Sequence, residues 1–454
     1  SETRTLELVQ GYVTEMEARQ STRFDPEAAP LALQLARQYL DASQLPGTVF
    51  DLVKLAFNHC RSMGAMLVTP AEIMASLSQV TGLPRAILDA QEKVELATVR
   101  KFFDERVMGQ PEAVQRIVDR IAMLKAGLTD PSKPIGVFLF AGPTGTGKTE
   151  LAKTLAQFLF SSADRMIRLD MSEYKSHDSI SKIIGDAGQN APRSDFLINQ
   201  VRKQPFSVVL LDEFEKAHPN IWDLFLQVFD DGRLTDANGN AADFRHCIII
   251  LTSNLGATTH ENSGLGFGAR TEAFAPEQVE RAIGQAFRPE FINRLDKVIV
   301  FQPLSRALMR QILHKELRNV LERRGLRNRE WAVEWEESAI EFLLDKGFSA
   351  QLGARPLKRA VDEYLLAPLA ATIVEHRVPE GDQFLFVRSD GRAIQVEFVD
   401  PDADRNSLPA TPGTGEVELA SIVLQAHGTD AERGVLAQEQ RLIDLRLSSE
   451  EWQA

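Results

Sequence analysis

The sequence has few of the features that mark secreted or membrane-spanning proteins. Only two of its 454 residues are cysteine, Cys60 and Cys247, and neither belongs to a CxxC pair. This scarcity favours a reducing, cytoplasmic compartment in which both are ordinary thiols. No stretch approaches the run of about 18 apolar residues that a membrane span requires. The polar start, "SETRTLELVQ", does not resemble a signal peptide.

The sequence also lacks an excess of positive charge. It contains 51 Lys and Arg against 64 Asp and Glu, which gives a formal net charge of -13. Binding to nucleic acid without sequence preference needs clustered Lys and Arg that contact phosphates, so a nucleic-acid partner is disfavoured. The apolar content of 44% and the charged content of 25% are typical of a soluble globular protein, and the length predicts about three domains.

Alternating helical and strand-like patterns predict four segments. Residues 1–96 have the apolar periodicity of a small helical domain. Residues 97–302 alternate helical stretches with short apolar runs, which indicates a parallel sheet covered on both faces. The predicted strands are 135–140, 166–170, 207–211, 247–251 and 298–301. Residues 303–400 return to helix and end with two strand candidates, "QFLFVR" and "AIQVEFV", and residues 401–454 form a linker and an acidic extension.

The segment "GPTGTGKT" matches the GxxxxGK[ST] pattern of a phosphate-binding loop. It directly follows a predicted strand and opens a predicted helix, so its backbone N–H groups and the helix amino terminus can bind phosphates. The pattern assigns Lys148 to the β- and γ-phosphates of ATP and the Thr149 hydroxyl to Mg²⁺. The predicted nucleotide-binding loop consists of Gly142, Pro143, Thr144, Gly145, Thr146, Gly147, Lys148 and Thr149.

Polar residues end two of the other predicted strands. Asp212 and Glu213 follow the apolar run "VVLL", where Asp212 is expected to hold Mg²⁺ and Glu213 to orient and polarise the attacking water. Asn254 ends "CIIILTSN" and could hydrogen-bond the γ-phosphate or the water. Taken alone, Asn254 is more typical of a strand-end turn.

Two arginines are candidates to stabilise charge on the γ-phosphate. Arg294 lies in "FRPEFINRLD", before the last predicted strand, and Arg355 lies in "GARPLKRA", at the start of a predicted helix. Spacing alone favours an ordinary surface ion pair for each of them.

These motifs resemble the second AAA+ module of the two-ring Clp ATPases, the ClpA, ClpB and ClpC group. The resemblance is carried by "GLTDPSKPIGVFLFAGPTGTGKTELAKTLA", "LLDEFEKAHPNIWDLFLQVFDDGRLTD" and "FRPEFINRLD", and it covers residues 104–400. It implies an α/β AAA+ P-loop NTPase fold, with a parallel five-stranded sheet flanked by helices and mainly helical small lid domains. It also implies a homo-hexameric ring that uses ATP and Mg²⁺ to remodel protein substrates. Residues 1–96 resemble the lid of a preceding first module, whose own phosphate loop is absent from this sequence.

The resemblance also implies roles for individual residues. Val107 and Met108 would frame the adenine. Asn254 would be the first sensor, Arg294 the finger that reaches a neighbouring subunit, and Arg355 the second sensor. With Lys148, Thr149, Asp212 and Glu213 also present, the resemblance implies intact hydrolysis.

Two loops bear on which protein substrates and partners this chain could bind. Clp unfoldases carry a Gly-Tyr-Val-Gly type motif that projects into the central pore, whereas this sequence reads "GDAGQNAPRSDF" and has no tyrosine there. An aromatic ring grips a moving chain at little entropic cost, and Gln189 and Asn190 cannot replace it. In "SGLGFGAR", Leu265, Gly266 and Phe267 stand where Clp members that dock on the ClpP peptidase carry an apolar tripeptide. The alternative, that these residues fold back onto their own domain, stays open.

Two functions follow as hypotheses. The leading one is an ATP-driven protein-remodelling motor that works as a ring on a specific partner, because the aromatic grip is missing. The alternative is a nucleotide-switched ring scaffold that recruits a partner such as a peptidase without threading it.

Overall fold

The structure is a computed structural model that describes residues 2–19, 22–40, 45–89, 93–185, 196–236, 239–256, 274–323, 326, 331–349, 352–374 and 383–399. The segment 186–195, the tripeptide 265–267 and the extension 401–454 therefore lie outside the described residues. In the described part of the chain, no helix is long and apolar enough to cross a membrane.

The chain divides into two units. The first consists of Ser1–Pro143 and Gly147–Gln302, and the second consists of Thr144–Thr146 and the described residues from Pro303 onward. The domain boundaries at residues 96 and 302 remain predictions.

The first unit begins with helices, as the apolar periodicity predicts. Their bounds are α1 (Glu2–Arg19), α2 (Ala28–Tyr39), α3 (Gly47–Ser62), α4 (Pro70–Thr81) and α5 (Arg85–Leu88), with a short parallel pair of strands, β1 (Arg23–Phe24) and β2 (Leu67–Val68). Thr69 caps α4 in a capping box with Glu72, and Gly82 ends the helix in the left-handed region at φ 78°.

A five-stranded sheet forms the rest of the first unit. The strands are β3 (Gly136–Ala141), β4 (Met166–Asp170), β5 (Val208–Asp212), β8 (Ile248–Ser253) and β9 (Lys297–Val300), with a small antiparallel hairpin of β6 (Arg233–Thr235) and β7 (Ala241–Asp243). The helices are α6 (Leu96–Asp104), α7 (Pro111–Lys125), α8 (Lys148–Phe160), α9 (Ser181–Ile184), α10 (Leu197–Lys203), α11 (Pro219–Asp231), α12 (Pro276–Ala286) and α13 (Pro289–Ile292). The sheet order is β4-β5-β8-β3-β9 and every pairing is parallel, which confirms the predicted fold class.

Both faces of this sheet are buried. Phe138 and Phe140 of β3 pack into one apolar cluster, together with residues of α7 and α8. Val137 and Leu139 of the same strand pack into a second cluster on the opposite face. Successive side chains of a strand point to opposite faces, so burial of both faces explains why these strands are continuous apolar runs.

The second unit combines helices with a three-stranded sheet. Its elements are α14 (Arg306–Leu321), β10 (Trp331–Trp335), α15 (Glu337–Gly347), α16 (Arg355–Ala360), a π-helical turn (Val361–Leu366), α17 (Ala367–Val374), β11 (Gln383–Ser389) and β12 (Ile394–Val399). The two strand candidates near residue 390 are confirmed. The strand β10, which pairs in parallel with β11, was missed, although "WAVEW" alternates large apolar residues and could have indicated it.

Candidate functional site

The candidate site lies where three neighbouring strands end. In the parallel register, Ala141 pairs with Ser253 and Leu211 pairs with Leu251. The carboxyl ends of β3, β5 and β8 therefore meet at one edge of the sheet, which is the edge where open α/β sheets bind their ligands. The residues at these strand ends are the loop from Gly142, Asp212 with Glu213, and Asn254.

The backbone of the loop requires glycine. Gly142 has φ 132°, and a Cβ there would lie 2.6 Å from the carbonyl oxygen of Phe301. Gly147 has φ 104° and caps α8 without a side-chain hydrogen bond, so the first turn of this 13-residue helix keeps backbone N–H groups that no cap side chain occupies. Thr149, the second residue of α8, is half-buried. A loop of this shape, leading into a helix amino terminus, fits a phosphate group.

Lys148 is the charged centre of the loop. The residue is only 8% exposed. Its ammonium donates to the carbonyl oxygens of Gly142 at 2.6 Å and Pro143 at 2.8 Å, and to Oδ1 of Asn254 at 3.0 Å. A buried ammonium needs such acceptors. The positive charge of this ammonium suits an anionic ligand such as the phosphates of ATP.

Asp212 is held by two neighbouring strands. The Thr252 hydroxyl, on β8, donates to its Oδ1, and Arg168 on β4 donates to its Oδ2 at 2.6 Å. The Asp212 side chain is 13% exposed, whereas that of Arg168 is 48% exposed. The carboxylate is thus fixed at the edge of the site, as a residue that holds Mg²⁺ should be. Sequence reasoning missed Arg168 and Thr252, although a charge inside the apolar strand "MIRLD" is a visible signal.

Glu213 has an unusual backbone. Its φ of 56° and ψ of 48° lie in the left-handed region, which costs a non-glycine residue roughly 1–2 kcal/mol. Its N–H donates to the Thr252 hydroxyl at 3.0 Å, and its Oε2 accepts from the Lys216 ammonium at 2.5 Å. This hydrogen bond raises the pKa of Lys216. Backbone strain of this kind is concentrated at functional positions.

Asn254 connects the two halves of the site. Its Oδ1 accepts from Lys148, and its Nδ2 donates to Oε1 of Glu213 at 3.3 Å. Its backbone N–H donates to Oε1 of Glu215 at 3.0 Å. The structure therefore brings Lys148, Glu213 and Asn254 together, and it adds Glu215, which sequence reasoning missed.

The residues predicted to frame the adenine lie beside the loop. Val107 is buried and Met108 is half-buried. A Cβ at Gly147 would lie 3.7 Å from the Val107 side chain, so this apolar residue borders the start of α8. The Gln110 side chain exchanges two hydrogen bonds of 2.9 Å with the backbone of Gln302, which fixes the segment between Val107 and α7.

The structure does not bring Arg294 to the other site residues. Arg294 lies just before β9 and pairs with Asp230 at 2.9 Å. The backbone N–H of Asp296, close by, donates to the carbonyl oxygen of Val137, at the amino end of β3. Five residues of extended strand separate this edge from Gly142, a span of about 16 Å. Arg294 also borders a cavity of about 350 Å³, with Arg120, Lys133 and Asp296 among its lining residues.

Arg355 belongs to the second unit, where it is the first residue of α16, as the sequence predicts. Lys148, Asp212, Glu213, Asn254 and Arg294 belong to the first unit.

The residues present fit Mg²⁺ only as a companion of a nucleotide. No group of three or more His, Cys, Asp or Glu residues within the described ranges could hold a metal ion by itself. Mg²⁺ at nucleotide sites is bound by one or two protein oxygens together with phosphates and water. Asp212 and Thr149 supply the oxygens expected of such a site.

Family models match a part of each unit. The AAA domain family (Cdc48 subfamily) matches residues 133–298, and the C-terminal, D2-small domain of ClpB protein matches residues 304–386. Chaperone protein ClpB of Vibrio cholerae is 41% identical over 326 residues, which are 71% of this chain and 38% of that protein. ClpB of Meiothermus ruber is 42% identical over 340 residues, which are 73% of this chain and again 38% of the relative. The chain thus spans well under half the length of these relatives.

Solved structures of Hsp104 are similar to most of this chain. The Hsp104-ADP complex of S. cerevisiae has a TM-score of 0.71 and 32% identity, and the match covers 86% of this chain and 68% of that one. A closed-state reconstruction of Hsp104 with ATPγS and FITC casein has a TM-score of 0.70 and 32% identity, with 88% and 68% covered.

Proposed function

The chain belongs to the Clp family of AAA+ ATPases and carries the second AAA+ module of that family, and from this premise we propose that it hydrolyses ATP to remodel a protein substrate. The observation that carries the proposal is the Asn254 side chain, which joins the buried Lys148 ammonium to the Glu213 carboxylate. One of these groups suits terminal phosphates and the other suits a water molecule, so a single amide links phosphate binding to water activation.

Each residue has a distinct task in this proposal. Lys148 and the N–H groups that begin α8 bind the phosphates of ATP. Asp212 and Thr149 would hold Mg²⁺, which would supply neutralisation of charge on the phosphate oxygens. Glu213 orients the attacking water and accepts its proton, while Asn254 donates a hydrogen bond that aligns the water with the γ-phosphate. Val107 and Met108 provide the apolar contact for the adenine.

Arg294 acts in a neighbouring copy. It lies at the opposite edge of the sheet from Lys148, so it cannot serve the site of its own first unit. A head-to-tail ring brings one edge of each subunit to the opposite edge of the next. We therefore assign Arg294 to the ATP of the adjacent subunit in a homo-hexamer, with Arg355 as the second sensor.

The substrate is a specific protein partner. Two of the solved Hsp104 structures contain casein. The segment 186–195 of this chain contains no aromatic residue, so this chain should bind a generic unfolded polypeptide only weakly. The same feature supports the second candidate, a nucleotide-switched ring scaffold that recruits a partner, such as a peptidase, through Leu265, Gly266 and Phe267.

The two candidates differ in what ATP turnover accomplishes. Purified protein is incubated with Mg-ATP, first alone, then with casein and then with a candidate folded partner identified by co-purification. We expect steady-state ATP hydrolysis that is lost in Lys148→Ala, nucleotide trapping in Glu213→Gln, little unfolding of casein, and loss of structure in the folded partner. Hydrolysis without any loss of partner structure would favour the scaffold, and turnover unchanged in both variants would disprove the site.

A further inference from the structure

Glu215 makes a contact that the hydrolytic roles described above do not use. It lies in the 3₁₀ turn Phe214–Lys216, directly after Glu213 and Phe214. Its side chain extends to the adjacent strand end, where Oε1 accepts the backbone N–H of Asn254 at 3.0 Å. The other oxygen, Oε2, is buried and has no hydrogen-bond partner among the described residues.

Considered only for its effect on stability, this placement of the Glu215 side chain is unfavourable. A carboxylate that loses water at one oxygen without gaining a hydrogen bond there pays a desolvation penalty. The oxygen that is bonded makes a charge-assisted contact with a single backbone N–H, which is a strong and directional hydrogen bond. The contact therefore fixes one backbone position with high precision while the remaining oxygen stays unsatisfied.

The backbone position that Glu215 fixes is that of Asn254, whose side-chain amide bridges Lys148 and Glu213. Asn254 follows β8, and its side chain contacts both Lys148 and Glu213. A shift of its backbone would move both of these contacts. The turn that holds Glu215 is itself anchored, because Phe214 is fully buried and its ring lies 5.4 Å from that of Phe291 and 5.9 Å from that of Phe225.

We propose that Glu215 is a positioning residue that locks the backbone of Asn254 and so aligns Asn254 with Lys148 and Glu213 for hydrolysis. This inference rests on the proposed ATPase function. Glu215 itself contacts neither nucleotide nor water in this role, and its effect on turnover passes entirely through Asn254.

The test compares turnover in a set of full-length variants. Glu215→Ala removes the acceptor, Glu215→Asp keeps the charge but shortens the side chain, and Glu215→Gln keeps an acceptor oxygen of the right length. We expect kcat to fall roughly tenfold to a hundredfold in the Ala and Asp variants, since a misplacement of about 1 Å has effects of that size. KM for Mg-ATP should stay within about twofold, and Gln should restore most of the activity. Glu280→Ala, at an exposed position on α12, is the matched control.

A double-mutant cycle separates positioning from an independent role. If Glu215 acts through Asn254, then Glu215→Ala should cause no further loss of kcat in an Asn254→Ala background. Additive losses would overturn the proposal, and so would a Gln variant as inactive as the Ala variant.

Hydrogen exchange provides a readout that does not depend on activity. The peptide that contains the Asn254 amide should exchange faster in Glu215→Ala and Glu215→Asp than in the wild type or in Glu215→Gln, with other peptides unchanged. Unchanged exchange would overturn the inference about Glu215. Wild-type protein that hydrolyses no ATP would instead contradict the proposed function, and the exchange result would still decide the role of Glu215.

Discussion

The amide oxygen of Asn254 accepts a hydrogen bond from the Lys148 ammonium at 3.0 Å, which joins the end of β8 to the start of α8. The same side chain donates to Glu213 from its nitrogen. An amide can make both contacts at once because it carries a donor and an acceptor and no charge. These two properties distinguish asparagine from its isosteric acid at this position.

Asn254→Asp should therefore harm hydrolysis more than it harms nucleotide binding. The new carboxylate would still accept from Lys148, but it would repel Glu213 and could not donate to it. We expect kcat to fall roughly a hundredfold, as when one aligned donor is removed from an active site. Nucleotide affinity, measured by equilibrium binding of a fluorescent ATP analogue, should change far less than kcat. A loss confined to affinity would contradict this assignment.

Arg294→Ala should abolish ATP turnover. Mixing this variant with Lys148→Ala should partly restore it. A ring of Arg294→Ala subunits has intact loops, and a ring of Lys148→Ala subunits has intact fingers. Random mixing of the two leaves about a quarter of the interfaces with both groups intact. ATP hydrolysis should reappear in the mixture although each variant alone is inactive. If the mixture stays inactive while mixed rings form, Arg294 does not act between subunits.

Gly142→Ala should destabilise the first unit and prevent nucleotide binding. The added Cβ would lie 2.6 Å from the Phe301 carbonyl oxygen, and φ 132° is unfavourable for alanine. Gly284→Ala in α12 is the matched control because no atom lies within 4 Å of its Cβ. That control should be neutral or stabilise by about 0.5–1 kcal/mol, as measured by thermal or chemical denaturation. Equal behaviour of the two variants would contradict the described loop geometry.

Phe291→Ala should reduce the free energy of unfolding by about 3–5 kcal/mol. Phe291 is 2% exposed, and its ring lies 5.3 Å from Phe287 and 5.4 Å from Phe214. Removing the ring leaves a cavity among aromatic side chains that cannot collapse easily. Urea denaturation followed by tryptophan fluorescence would report the change, because Trp222 contacts the same cluster. A loss below about 1 kcal/mol, the size seen at tolerant positions, would mean that the cluster is loosely packed.

The two thiols should be unreactive in the folded protein. Cys60 and Cys247 are 1% and 0% exposed, and burial raises the pKa of Cys247 to about 12. At pH 8, a thiol-specific reagent should label neither cysteine until denaturant is added. Because the folded pKa lies above the unfolded value of about 8.5, this contribution to stability is complete below pH 8.5 and is lost as pH rises towards the folded pKa. Cys247→Ser should remove that alkaline slope, and rapid labelling of the native protein would refute the burial.

The sequence predicted the strands of the main sheet and the glycine-rich turn before α8 because both depend on local pattern. Apolar runs such as "GVFLF" become strands buried on both faces, and the GxxxxGK[ST] spacing fixes which residues begin α8. The contacts of Arg168, Thr252 and Glu215 could not be predicted in this way. Each of them joins one strand, or the turn after it, to a neighbouring strand, so it depends on the sheet order rather than on distance along the chain. The sequence also offered no indication of the left-handed backbone of Glu213, since that conformation is usually adopted by glycine.

The placement of Arg294 near the amino end of β3 has a consequence for how ATP consumption depends on assembly. On the proposed assignment, a solitary subunit has the loop for ATP but lacks the Arg294 of a neighbour, so ATP should be hydrolysed only by assembled rings. Specific activity per chain should then climb with protein concentration and level off once every subunit has a neighbour, and dilution alone should act as an off switch.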